Sequence, residues 1–197
     1  MAGALDHADD GALAAMALGG SEPAYGALMQ RHREAVYRLV RAHIGDEVEA
    51  LDVTQESFIA AFAALHRFDR PRPFRAWLLR IALNKCHDWA RKRSVRRFFT
   101  FARPIEDAGE VADSAMTPEA ALQSAAGVER IQRAVQALPS KLKDALILCA
   151  IEGMSQDEAA ALMGVSRKTI ETRIYRARQK LSETLEGQDK LARIVEQ

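Results

Sequence analysis

Two cysteines, Cys86 and Cys149, are all that the 197 residues contain, and they form no C-x-x-C pair. A disulfide framework is excluded, and free buried thiols in a reducing compartment are the expectation. No run of eighteen apolar residues occurs, so membrane insertion is not expected. The N-terminal residues carry acids where a secretory leader would carry a basic and then an apolar segment, which points to the cytoplasm. Aromatic residues make up only 6% and prolines number six, and no Asn-Gly or Asp-Gly turn lies between alternating apolar runs. With few strand signals and an abundance of alanine, leucine, arginine and glutamate, an all-α protein is expected. At 48% hydrophobic residues the chain can bury a core and is long enough for two small domains.

Catalytic signatures are also missing: there is no H-E-x-x-H, no Walker loop and no dinucleotide-binding glycine pattern. Cys86, His87 and Asp88 superficially offer a nucleophile, a base and an orienting acid. Consecutive helical residues point about 100° apart, so these three cannot form a relay. Cys86, His87 and Cys149 lack the spacing of metal ligands. The expectation is a non-enzyme with no catalytic residue, no metal and no cofactor.

Net charge is only +1, but it is unevenly distributed. Gly45 to Ser57 holds five acids and no bases, whereas Arg70 to Arg97 holds ten bases against Asp88 alone. Phe98 to Gly127 sets Arg103 against Glu106, Asp107, Glu110, Asp113 and Glu119, and loses apolar periodicity over most of its length. That stretch reads as a flexible acidic linker. Residues 1–99 then form one helical domain, 100–127 the linker and 128–197 a second helical domain.

In the second domain, Ser155 is followed three residues later by Glu158, a capping box that starts a short alanine-rich helix ending at Gly164. Ser166 caps the next helix, and the short separation is that of a helix-turn-helix. Val165 to Leu181 places Ile170, Ile174, Ala177 and Leu181 on one stripe and six bases on the flanks and far face. A charge run of this kind is ordinarily a solvated surface. Its place as the second helix of the motif favours duplex DNA, with arginines on phosphates and shorter polar groups at base edges.

In the first domain, Phe58, Phe62 and Leu65 fall on one helical face, and Asp52, Gln55 and Glu56 form a polar patch on another. Pro71 and Pro73 then stiffen a loop carrying Phe68 and three arginines. Beyond it Phe74, Leu78, Ile81 and Trp89 share one helical face, while Arg80, Asn84, Asp88 and Arg91 share another. An aromatic loop beside an amide and arginines can read unpaired bases. The alternative is that Phe68 anchors the loop in the core.

The segments DVTQESFIAAF, FRAWLLRIALNKCHDWARK and, after the linker, EGMSQDEAAALMGVSRKTIETRIYRARQKL resemble, in order and spacing, those of the extracytoplasmic-function sigma factors of the sigma-70 family. The resemblance runs from about Tyr25 to Leu185. It implies sigma region 2 followed by sigma region 4, and a protein that directs bacterial core RNA polymerase to promoter DNA and assists its melting. It further implies that Asp52, Gln55 and Glu56 bind core polymerase. The minus-ten element would fall to Phe68, Arg72, Trp77, Arg80, Asn84, Asp88, Arg91, Lys92 and Arg93, with Phe68, Trp77 and Asn84 around a flipped base. The minus-thirty-five element would fall to Ser166, Arg167, Lys168, Thr169, Glu171, Thr172, Arg173, Tyr175, Arg176 and Arg178. An anti-sigma partner is usual in the family. Two rival classes share part of the pattern. A transcriptional activator or response-regulator output domain accounts for the helix-turn-helix but not for the basic aromatic first domain. A helical adaptor leaves both basic clusters unexplained.

Overall fold

The computed structural model describes the backbone of residues 7–100 and 119–195 and the side chains of 7–96 and 127–187. Every regular element among the described residues is helical, as the composition leads one to expect. Helix α1 covers Asp10–Leu18, α2 Glu22–Ile44, α3 Glu47–Ala63 and α4 Phe74–Thr100, with a short 3₁₀ turn at Leu65–Arg67. The second half holds α5 at Glu119–Gln136 and α6 at Ser140–Leu146, which runs into a π-helical turn at Ile147–Ile151. It continues with α7 at Gln156–Met163 and α8 at Arg167–Val195.

Short polar side chains set the helix starts. Asp9, Ser21 and Asp46 each accept a hydrogen bond from the backbone N–H three residues on, satisfying an amide with no partner inside the helix. Before α4 no side chain serves; the Pro73 carbonyl accepts from Ala76 and Trp77 at 3.1 and 3.3 Å, so the proline-stiffened loop delivers the chain directly into the helix. The start of α5 departs from the sequence expectation. The helix begins at Glu119, inside the stretch read as linker, because Ala-rich sequence directly follows Pro118. The rest of that stretch, residues 101–118, lies outside the described residues.

Helices α2, α3 and α4 pack on one another and α1 lies against α2. Their shared core includes Leu28, Val36, Leu39, Leu65, Leu78 and Leu79, all essentially inaccessible. Each such aliphatic side chain contributes about 1.5–3 kcal/mol relative to exposure. In the second half, α5, α6 and α7 all pack on α8. Leu138, Leu146 and Ala177 form a small cluster there, extended by Leu142 and Leu181. The two halves also touch directly, α2 against α5 and the π turn, and α4 against α7. One apolar core is continuous from Leu28 and Phe74 through to Ile147, Leu148 and Ile170.

Candidate nucleic-acid and polymerase surfaces

The helix-turn-helix is built from local chemistry. Ser155 Oγ accepts the Glu158 N–H at 3.2 Å, and the Glu158 carboxylate accepts the Ser155 N–H at 2.8 Å. Hydrogen bonds from the Ser155 backbone and hydroxyl hold the Glu158 carboxyl below the usual carboxylate range. Gly164 closes α7 with φ of 65°, a left-handed conformation that a side chain would strain. Two residues on, Ser166 Oγ accepts the Thr169 N–H at 3.2 Å and starts α8. Ile170, Ile174 and Ala177 are buried, so the rest of the helix circumference is turned outward.

On that outward surface Ser166, Arg167, Lys168, Glu171, Tyr175, Arg176 and Arg178 are exposed, and Thr169, Thr172 and Arg173 are half-buried. Several are already engaged. Lys168 Nζ lies 3.2 Å from Glu171, Arg167 lies 3.3 Å from Asp157 of α7, and the Thr172 hydroxyl donates to the Lys168 carbonyl at 2.9 Å. Tyr175 is 69% exposed, a large ring held mostly in water.

On α3 the structure brings Asp52, Gln55 and Glu56 together on one exposed face. The sequence reading missed their neighbours: Val48, Leu51 and Ile59 are 71%, 48% and 70% exposed on the same side of the helix. At 100° per residue Val48, Gln55 and Ile59 fall within about 40° of one another, so the stripe was legible from spacing. It was hidden by the stronger apolar set of Phe58 and Phe62. A groove of about 660 Å³ separates this face from α4, lined by Asp52, Glu56, Lys85, Trp89 and Lys92. Across it Lys85 reaches Glu56 at 3.6 Å, and the Trp89 indole N–H donates to Glu49 at 2.7 Å. Arg93 stacks over Trp89 at 5.0 Å, a cation–π contact.

Phe68 is packed rather than projecting. It is only 9% exposed, meeting Phe74 edge-on at 5.1 Å and Trp77 at 5.3 Å. In the free chain the ring anchors the loop against the start of α4, the alternative that the sequence leaves open. Trp77 is half-buried in the same cluster. Arg72 is exposed on the loop and paired with Asp69 at 3.3 Å. On α4, Arg80 and Asn84 are exposed, Asp88 is ion-paired with Arg91, and Arg91, Lys92 and Arg93 line the exposed C-terminal stretch.

Arg80, Asn84 and His87 form one wall of a cleft of about 390 Å³, and Met163, Val165 and Arg173 of the helix-turn-helix form part of the other. His87 turns away from Cys86 and Asp88 and toward Asp144 of α6. Burial pushes the Cys86 thiol up to about 12, so it is an inert core thiol. Among the described residues no group of three or more His, Cys, Asp and Glu could hold a metal ion, and no helix is long and apolar enough to cross a membrane.

Comparison with known proteins finds two family segments in the chain. Residues 28–96 match the family described as Sigma-70 region 2, and residues 128–181 match Sigma-70, region 4. The chain is 42% identical over 181 residues to the RNA polymerase sigma factor CnrH of Cupriavidus metallidurans, covering 90% of this chain and 95% of that one. It is 35% identical over 163 residues to the ECF RNA polymerase sigma factor SigE of Mycolicibacterium smegmatis, covering 83% of this chain and 62% of that one. The solved structure of CnrH in complex with the cytosolic domain of CnrY superposes with a TM-score of 0.65 at 38% identity, covering 90% of this chain and 97% of that one.

Proposed function

The chain belongs to the sigma-70 family, as an RNA polymerase sigma factor of the extracytoplasmic-function class, and on that premise we propose how its surfaces divide the work. It directs core RNA polymerase to promoters for transcription initiation. Residues up to 100 are the core-binding and minus-ten unit, 101–118 the tether and 119–197 the minus-thirty-five unit, the expected linker of 100–127 being shortened by α4 and α5.

On α3, Asp52, Gln55 and Glu56 engage core polymerase. Val48, Leu51 and Ile59 support this reading: an apolar stripe beside fixed carboxylates offers buried area for affinity and charge for orientation. On α4, Arg80 and Asn84 contact the opened minus-ten strand, with Asn84 supplying the amide that selects a base and Arg91, Lys92 and Arg93 following the backbone. The Phe68, Phe74 and Trp77 cluster fixes the loop that carries Arg72 beside them. On α8, Arg173, Arg176 and Arg178 act on phosphates, while Lys168, Glu171, Thr172 and Tyr175 face base edges.

The work is that of a binding protein and uses no cofactor or catalytic residue. It takes place in the cytoplasm, where core polymerase is found. CnrH has been solved with the cytosolic domain of CnrY, and an anti-sigma partner for this chain is the corresponding expectation.

The observation that carries the reading is the occurrence of both family segments, in order, in one chain with an exposed basic second helix in its helix-turn-helix. In-vitro transcription with bacterial core polymerase on a promoter-sequence library tests it. Promoter-specific transcripts that depend on the protein are the expected result, and their absence at saturating protein overturns it.

A further inference from the structure

Glu152 sits where the sequence offers no reason to look for a buried charge. It follows the π turn, with its N–H bonded to the Ile147 carbonyl at 3.0 Å, and Gly153 then reverses the chain at φ of 67°. Its side chain is wholly inaccessible. One carboxylate oxygen takes Arg75 of α4 at 2.7 Å and Arg38 of α2 at 3.3 Å, and Arg75 also donates to the Glu152 carbonyl at 2.9 Å. The other carboxylate oxygen has no hydrogen-bond partner among the described residues. Both arginines belong to the first half and the acid to the second. The ion pairs therefore clamp one half to the other, and π turns are frequent at functional sites.

The clamp closes the molecule over one of its proposed DNA surfaces. Arg80 and Asn84 look across the 390 Å³ cleft at Val165 and Arg173, so the second half walls the face they present. Scale gives the same answer. Minus-ten and minus-thirty-five elements lie about 25 base pairs apart, or about 85 Å along duplex DNA. A compact chain of this length has a radius of gyration of about 16 Å. The packed arrangement cannot reach both elements, so the halves must separate. The connecting residues 101–118 allow a reach of about 60 Å when extended.

We infer that Glu152, held between Arg38 and Arg75, is an intramolecular latch that keeps the sigma factor closed to promoter DNA until core polymerase captures the opened form. This rests on the assignment of Arg80 and Asn84 to the minus-ten element. A buried carboxylate facing two cations is stable only while both halves are together; once they part, the arginines and the acid return to water. The latch sets the fraction of open molecules, and the apparent affinity for core polymerase falls by that fraction.

The test compares the full-length wild type with Glu152→Gln and with Arg38→Gln/Arg75→Gln, using small-angle X-ray scattering of the free protein and the protein concentration giving half-maximal transcription with core polymerase. Glu152→Gln keeps the shape and removes the charge, while the double variant leaves the carboxylate without cations. Both are expected to scatter with a larger radius of gyration than the wild type and to reach half-maximal transcription at a several-fold lower concentration. If Glu152→Gln is poorly folded, the double variant, altered only at part-exposed side chains, decides the matter alone. Scattering and half-maximal concentrations equal to those of the wild type overturn the latch. Failure of the wild type to give promoter-specific transcripts overturns the sigma-factor reading instead, and the scattering comparison still decides whether Glu152 holds the halves together.

Discussion

The Nε2 atom of His87 lies 3.1 Å from each carboxylate oxygen of Asp144, a residue 57 positions further along the chain and in the other half of the molecule. On the other side of the same carboxylate is His43, its Nε2 3.4 Å away and its ring 6.2 Å from that of His87. The two imidazoles shift in opposite directions. The hydrogen bond to Asp144 raises His87, which is half-buried, whereas deep burial and the neighbouring Lys143 push His43 down to about 3.

The signs of the pH dependence follow. A raised folded value means that the His87 contribution is complete below the ordinary imidazole value of about 6.5 and is lost as pH rises through the folded value. His43 has a lowered value: its contribution is complete above about 6.5 and is lost as pH falls toward 3. The His43 shift is the larger, so stability should drop on acidification, by about 2 kcal/mol at pH 5 from this residue. Urea unfolding at pH 7 and pH 5 measures it. His43→Gln should reduce the difference between the two pH values, and an undiminished difference removes His43 as its source. In Asp144→Asn the NMR titration midpoint of His87 should move to lower pH.

Phe68 gives a prediction that separates anchoring from base contact. Truncating a buried aromatic removes its transfer energy and leaves a cavity, so Phe68→Ala should cost about 3–5 kcal/mol in urea unfolding. Phe68→Leu should cost less, since it refills much of the space beside Phe74 and Trp77. Phe68→Ala with wild-type stability and a selective loss of promoter opening would return the ring to the DNA.

The features legible in the sequence are those whose causes lie within one or two helical turns. The Ser155 and Glu158 box, the Gly164 reversal and the stripe of Ile170, Ile174 and Ala177 are each fixed by residues at most four apart, and all are present. Phe68 could not be placed because its burial depends on rings six and nine positions on, brought back by a loop whose path the prolines restrict but do not specify. Glu152 and Asp144 were unreadable for a stronger reason. A glutamate after an apolar helix is ordinarily solvated, and only the packing of two distant halves supplies its arginines. Val48, Leu51 and Ile59 are the intermediate case, periodic in the sequence but left exposed by the fold.

The α3 face can be tested without disturbing the fold. Asp52 and Glu56 are exposed, and among the described residues the ion pair of Glu56 is the long 3.6 Å contact with Lys85. Reversing both to lysine should change stability by no more than about 0.5 kcal/mol. Association with core polymerase should slow, most strongly at low salt, because charges of this kind steer encounter. Binding kinetics at two salt concentrations, beside a thermal melt, check both expectations. Unchanged core affinity for a folded double variant would remove these carboxylates from the interface.

Glu171 is the residue on α8 whose substitution should alter sequence choice rather than general affinity. It is exposed, and its pairing with Lys168 at 3.2 Å is a surface contact worth less than about 1 kcal/mol. A carboxylate in the groove can accept a hydrogen bond from a cytosine amino group and repels phosphate. Glu171→Lys replaces that acceptor with a donor suited to guanine and frees Lys168, so the preferred base should change at one or two adjacent minus-thirty-five positions. Arg176→Ala should behave differently, weakening all sequences about equally and lowering the logarithmic salt slope by about one. Binding-site selection on randomised duplexes, with titrations at several salt concentrations, distinguishes the two. If Glu171→Lys selects the wild-type sequence with the wild-type preference, the carboxylate does not face the bases and the register of α8 in the groove must be reassigned.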